Sequence, residues 1–122
     1  AQSGRQPHEV ERMIEMKVSF DSDLERARHD TRHWAALALK PEEKMNVEDP
    51  LEMERLADGL SVERAASRWI VGSDPDAIVA GIRPYVELGF NHLVFHAPGP
   101  DQERFLRLFA EQVMPLLRRE FA

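Results

Sequence analysis

The stretch from Arg68 to Gly99, RWIVGSDPDAIVAGIRPYVELGFNHLVFHAPG, constrains the fold more than any other part of the sequence. It opens on a short extended piece. A helix follows, capped by Ser73 or Asp74, with Pro75 in its first turn and Gly89 just past its end. Ile78, Val79, Ile82 and Val86 form its apolar stripe, and Pro84 inside it predicts a kink or a local break. A short apolar strand, Leu93-Val94-Phe95, comes next and ends in His-Ala-Pro-Gly. A helix that leads at once into a buried strand is half of a βαβ repeat, and such a repeat needs parallel strands beside it.

The rest of the chain supplies few of them. MIEMKVSF, residues 13–20, alternates: Ile14, Met16, Val18 and Phe20 share one face, with Glu15, Lys17 and Ser19 on the other, the period of a strand. Residues Ala1 to Glu11 before it read as a polar linker. After it, Asp21 or Ser22 offers an N-cap for a long helix through about Leu39, ended by Pro41. Lys40 to Asp49 reads as irregular, Pro50 opens a second helix that Gly59 stops, and Ser61 caps a short helix that delivers Arg68. A last helix starts near Asp101, with Phe105, Phe109, Val113 and Leu116 along one face.

The order is β, long helix, helical insertion (about residues 40–68), α, β, α. Two isolated parallel strands make no stable sheet. The fold expected is therefore α/β, mostly helical with two short parallel strands: the C-terminal portion of a (β/α)8 TIM barrel with a helical insertion. Such a barrel takes about 250 residues, so residues 1–122 are expected to be one part of a single barrel domain, the remainder lying before Ala1.

Composition narrows the function classes. A hydrophobic share of 43% is ordinary for a globular chain. A net charge of −6 argues against sequence-independent nucleic-acid binding, which rests on clustered Lys and Arg, but leaves room for a small basic pocket. No apolar run approaches the ~20 residues of a membrane helix. The lack of cysteine excludes disulfides and thiolate metal sites and fits a reducing cytoplasm.

In a barrel, functional residues sit at the C-terminal ends of strands and in the loops that follow. That rule selects Phe20 to Asp23, the insertion, and Phe95 to Gly99. Lys44, in the irregular stretch, and Arg68, at a helix end, could clamp a phosphate as point charge and planar fork; spacing alone leaves both as ordinary exposed cations. His96, at the end of the last strand, is a candidate acid/base or substrate contact, or a histidine bonded to the loop backbone. His92, at the strand's start, reads as structural. Glu25, His29 and His33 share a helix face but lack the HExxH pattern and read as a solvated stripe, so no metal is expected. Trp34 and Trp69 read as core or interface residues. The sequence contains no Walker loop, GxGxxG or Ser-His-Asp arrangement.

The combination and order of DPLEME, RWIVGSDPD and NHLVFHAPG, within a similarity running from about Met13 to Arg119, resembles the C-terminal part of the F420-dependent glucose-6-phosphate dehydrogenases, barrel oxidoreductases of the bacterial luciferase-like superfamily. The resemblance implies an oxidoreductase that moves a hydride from C1 of a sugar 6-phosphate to the deazaflavin coenzyme F420. It implies that Lys44 and Arg68 bind the sugar phosphate and that Leu37 lies beside the substrate. It also implies a homodimeric intact protein. Met45 departs from the histidine that follows the lysine in the family, which opens the choice of sugar. The family's acid/base pair, its ring-stacking tryptophan and most coenzyme contacts match no position of this chain, so no catalytic residue is expected in it, and the chain alone is expected to be inactive. Two alternatives stand beside this reading: another luciferase-like oxidoreductase using FMN or F420, and a stand-alone helical interaction module.

Overall fold

The computed structural model describes residues 4–121. The expected polar leader thus lies partly outside the described residues; within them it forms one 3-10 turn, Pro7–Glu9. The first strand, β1, spans Met13–Phe20. Its even-numbered residues make the core: Met16, Val18 and Phe20 are buried, and Ile14 packs against them half-buried. The period-2 alternation therefore holds on the apolar side. On the other side Ser19 is buried as well, because its hydroxyl donates to the carbonyl of Ala27 at 2.6 Å.

Helix α1, Leu24–Asp30, is capped by Asp23, whose side chain accepts from the N–H groups of Glu25 and Arg26. The cap is one or two residues later than expected. The long helix does not continue to Leu39: Thr31–Ala38 is a 3-10 segment broken at Trp34, with φ −121° and ψ 26°. A 3-10 run this long is unusual. Helices α2, Pro50–Asp58, and α3, Val62–Ala66, then form as the Pro50, Gly59 and Ser61 signals predict. They pack on the 3-10 segment through a small cluster of Ala35, Ala57 and Ala65.

The expectation of two strands needs correction. Ile70–Gly72 is a third, β2, and it pairs in parallel with the end of β1, Val18 opposite Ile70 and Phe20 opposite Gly72. Three residues are too few to show a period of two, so the sequence marked this piece only as extended. After α4, Pro75–Glu87, the last strand β3, His92–His96, pairs in parallel with the first half of β1, Met13 opposite His92 and Lys17 opposite His96. The sheet order is β2-β1-β3. β1 thus lies between the two later strands and pairs with both.

Helix α4 runs through Pro84 without interruption, against the expected break. Pro84 sits in the last turn, where the missing N–H removes a single rung of the ladder. The disturbance lies instead in the final helix: α5, Gln102–Leu108, passes through a π-segment, Phe109–Val113, into α6, Met114–Phe121. Pro115, one residue into α6, lacks an N–H and crowds the carbonyl four residues back, and a local widening of the helix relieves that. Ile78, Val79 and Ile82 of α4 meet Phe105, Phe109, Val113 and Leu117 over the apolar face of β1.

Candidate functional site

The C-terminal end of β1 is organised by charge. Asp21, 2% exposed, accepts two bonds from Arg26, Nε to Oδ2 at 2.9 Å and Nη2 to Oδ1 at 3.0 Å. Arg104 of α5 adds a third contact, with its Nε 2.9 Å from Oδ2, and its Nη2 also reaches Asp30 Oδ2 at 3.2 Å. Burial alone would raise the Asp21 carboxyl. The Arg26 bond, the Asp23 N–H and the charges of Arg104 and Arg26 outweigh it and hold the group below the usual carboxylate range. This network ties α1 and α5 to the strand end. The loop after β3 is tied by Gln102, whose Nε2 donates to the carbonyls of Ala97 at 3.2 Å and Gly99 at 2.6 Å.

Lys44 is exposed, in a turn held by main-chain bonds from Glu43 and Lys44 N–H to the Lys40 carbonyl. Asn46 closes the turn with φ 63°, a left-handed conformation that asparagine tolerates better than most residues. Glu43, directly before Lys44, accepts from both terminal nitrogens of Arg64 on α3. The Arg64 bond, the Lys40 N–H and nearby cations lower the Glu43 carboxyl to about 2. Arg64 also donates to the Ala38 carbonyl at 3.2 Å. Arg68 lies in the turn just after α3, four residues beyond Arg64, so a single ion pair fastens the turn that carries Lys44 to the helix that leads into Arg68.

Arg68 itself is exposed and lines a cavity of about 220 Å³ together with Glu15, Lys17, Ser67, Trp69 and Tyr85. Neither Lys44 nor Leu37, which is half-buried in the 3-10 segment, lines that cavity. The structure thus joins the two expected phosphate ligands through their supporting elements without placing them in one pocket.

His96 stands between two tryptophans. Its ring meets Trp34 edge-on with centroids 4.8 Å apart and Trp69 at 5.5 Å. Its Nδ1 lies 3.5 Å from Glu15 Oε1. Trp69, read from the sequence as a core or interface residue, is buried as expected, whereas Trp34 is 43% exposed, and both rings contact His96. Their distance from it in sequence hid this. The one available signal was the polar face of β1, Glu15 and Lys17, which an alternating strand aims to one side. His92 bonds Glu11 through Nδ1 at 2.7 Å at the opposite strand end, in keeping with a structural role. His29 and His33 are exposed, and no group of three or more potential metal ligands occurs among the described residues.

Among comparisons with known proteins, no family model matches the chain. The first likeness defines a class. The chain superposes on an F420-dependent secondary alcohol dehydrogenase, solved in complex with an F420-acetone adduct, with a TM-score of 0.74, 25% identity, and coverage of 96% of this chain and 35% of the other. Its fold is that of one part of an F420-dependent luciferase-like TIM-barrel oxidoreductase.

Sequence likeness is more specific. The chain is 66% identical over 116 residues to the F420-dependent glucose-6-phosphate dehydrogenase of Nakamurella multipartita, covering 95% of this chain and 34% of that protein. It is 58% identical over 110 residues to F420-dependent glucose-6-phosphate dehydrogenase 1 of Rhodococcus jostii, covering 90% and 33%. Against the Microbacterium testaceum enzyme of the same name the figures are 54% over 122 residues, 100% and 36%. The chain is homologous to these dehydrogenases and spans about a third of their length.

The described residues do not by themselves enclose a tricyclic deazaflavin. The cavity at the C-terminal end of β3, lined by Val94, His96, Ala97, Gln102 and Phe105, is an open surface hollow.

Proposed function

We propose that this chain supplies the sugar-phosphate end of an F420-dependent sugar-6-phosphate dehydrogenase, with glucose 6-phosphate as the first substrate to consider. The observation that carries this reading is the identity of up to 66% with dehydrogenases of that name across 95% of the chain, a span that includes Lys44 and Arg68. In this reading Arg68 grips the phosphate as a planar bidentate fork and Lys44 adds a mobile charge. Leu37 supplies apolar contact. Residues 1–122 are one part of a single barrel domain, with residues 40–68 as its insertion, and the intact protein is a cytoplasmic homodimer. Coenzyme F420 accepts the hydride from sugar C1, and the acid/base groups for that step come from outside this chain.

The geometry supports the division of labour. The Glu43–Arg64 pair, which ties the turn carrying Lys44 to the helix just before Arg68, favours this reading, whereas His96 is engaged by two aromatic rings and Glu15. Met45, 66% exposed beside Lys44, adds no polar contact for a sugar hydroxyl, so other sugar 6-phosphates belong in the same test. That test is equilibrium binding of glucose 6-phosphate, fructose 6-phosphate and glucose to the chain and to its Arg68→Ala and Lys44→Ala variants. The reading expects both phosphates to bind, glucose not to bind, and each substitution to weaken the phosphates. Equal binding of glucose would overturn it.

A further inference from the structure

The insertion stands apart from the main core. It packs on the 3-10 segment through Ala35, Ala57 and Ala65, a cluster that shares no residue with the core over β1. Three methyl groups bury little apolar area. Its polar ties are internal as well: Arg64 bonds Glu43 and the Ala38 carbonyl, and Arg32 donates to the Asp58 carbonyl at 3.1 Å. Among the described residues, no hydrogen bond or ion pair joins residues 40–66 to β1 or β3.

The two flanks of the insertion meet at one side chain. Trp34 lies shortly before it and Trp69 directly after it, and these are the chain's two tryptophans. Both rings contact His96 of β3, with centroids 4.8 and 5.5 Å away. The 3-10 segment leaves helical geometry at Trp34, the residue whose ring reaches the strand. Register explains the position of the imidazole: Val94 is opposite Glu15 and His96 opposite Lys17, so His96 shares a sheet face with the charged residues of β1. Glu15 Oε1, 3.5 Å from Nδ1, holds the ring from a third side. An aromatic pair at such distances is worth a factor of about two to ten in an equilibrium constant, so two of them matter to a segment with so small a core.

We propose that His96 is a positioning residue that clamps both flanks of the insertion to the end of β3, and so fixes where the insertion carries Lys44 and Arg68. The effect of the clamp on a ligand rests on the phosphate reading of those two cations. Its hold on the insertion does not.

The test is native-state hydrogen exchange of the chain and its His96→Gln, His96→Phe and Trp34→Ala variants, with glucose 6-phosphate binding measured in parallel. In His96→Gln the amides of α2 and α3 are expected to exchange about tenfold faster, with those of β1 and α4 unchanged. His96→Phe, which keeps a ring, is expected to restore most of the protection. Trp34→Ala, which removes a ring already 43% exposed, is expected to loosen the same helices without unfolding the sheet. Affinity for glucose 6-phosphate is expected to fall in His96→Gln and to return in His96→Phe. Exchange that is unchanged in α2 and α3, or that rises alike in the insertion and in β1 and α4 in both His96→Gln and Trp34→Ala, would overturn the clamp and leave the phosphate reading standing. Selective loosening in a chain whose parent binds no glucose 6-phosphate would overturn the phosphate reading and leave the clamp.

Discussion

The carboxylate of Asp21 and the guanidinium of Arg26 meet fork to fork, at 2.9 and 3.0 Å, with the acid buried and the arginine 45% exposed. Arg104 shares the same carboxylate from α5. Removing the acid leaves Arg26 without its buried partner, while Arg104 keeps Asp30 and Asp101. Asp21→Ala is expected to cost about 3 kcal/mol, at the low end for breaking a buried pair because Arg26 can turn to solvent, measured as a lower urea midpoint at unchanged m. The pH dependence has a definite sign. The folded carboxyl is held below its unfolded value of about 3.9, so its contribution is complete above about pH 4 and is lost as pH falls through the folded value. In Asp21→Ala that part of the acid sensitivity is expected to vanish.

Glu43 offers a second titration, this one local to the insertion. Its carboxyl, lowered to about 2 by the Arg64 bond first and the Lys40 N–H second, is expected to titrate near that value by carboxyl ¹³C NMR. Arg64→Gln is expected to return it toward about 4.3. The same variant frees the turn that carries Lys44, so a loss of glucose 6-phosphate affinity is expected alongside the shift.

Gly99 lies hard against Asp30. A β-carbon there would sit 2.8 Å from the Asp30 Cγ, and Asp30 cannot swing away without leaving Arg104. Gly99→Ala is expected to destabilise by about 1–3 kcal/mol. Adding Asp30→Ala to it is expected to recover part of that loss, which a double-mutant cycle in urea would show.

Much of this arrangement was legible in the residues. The alternation in 13–20 fixed the strand and its buried face, and Pro50, Gly59, Ser61, Asp74 and Gly89 marked helix ends where they occur. What the sequence hid depends on tertiary contact. Ile70–Gly72 forms a strand because β1 offers it a free edge, not because its own pattern demands one. The 3-10 segment through Trp34 follows from packing of Ala35 against Ala57 and Ala65, which overrides helix propensity. Arg68 and Lys44 were singled out by a family likeness, since spacing alone left both as ordinary exposed cations.

The chain is expected to show no turnover of glucose 6-phosphate with F420, because in the proposed reading the acid/base groups for the hydride step come from outside residues 1–122. Coenzyme reduction followed at its visible absorbance checks this. Turnover by the chain alone would place the acid/base groups within residues 1–122.

The central claim, that this chain holds the phosphate of a sugar phosphate, is tested most directly by calorimetric titration of the chain with glucose 6-phosphate and with glucose, in parallel with Arg68→Ala. The account predicts saturable binding of the phosphate ester, none of glucose, and at least about a tenfold loss in the variant. Equal affinity for the two sugars, or an Arg68→Ala variant that binds as the parent does, would contradict it.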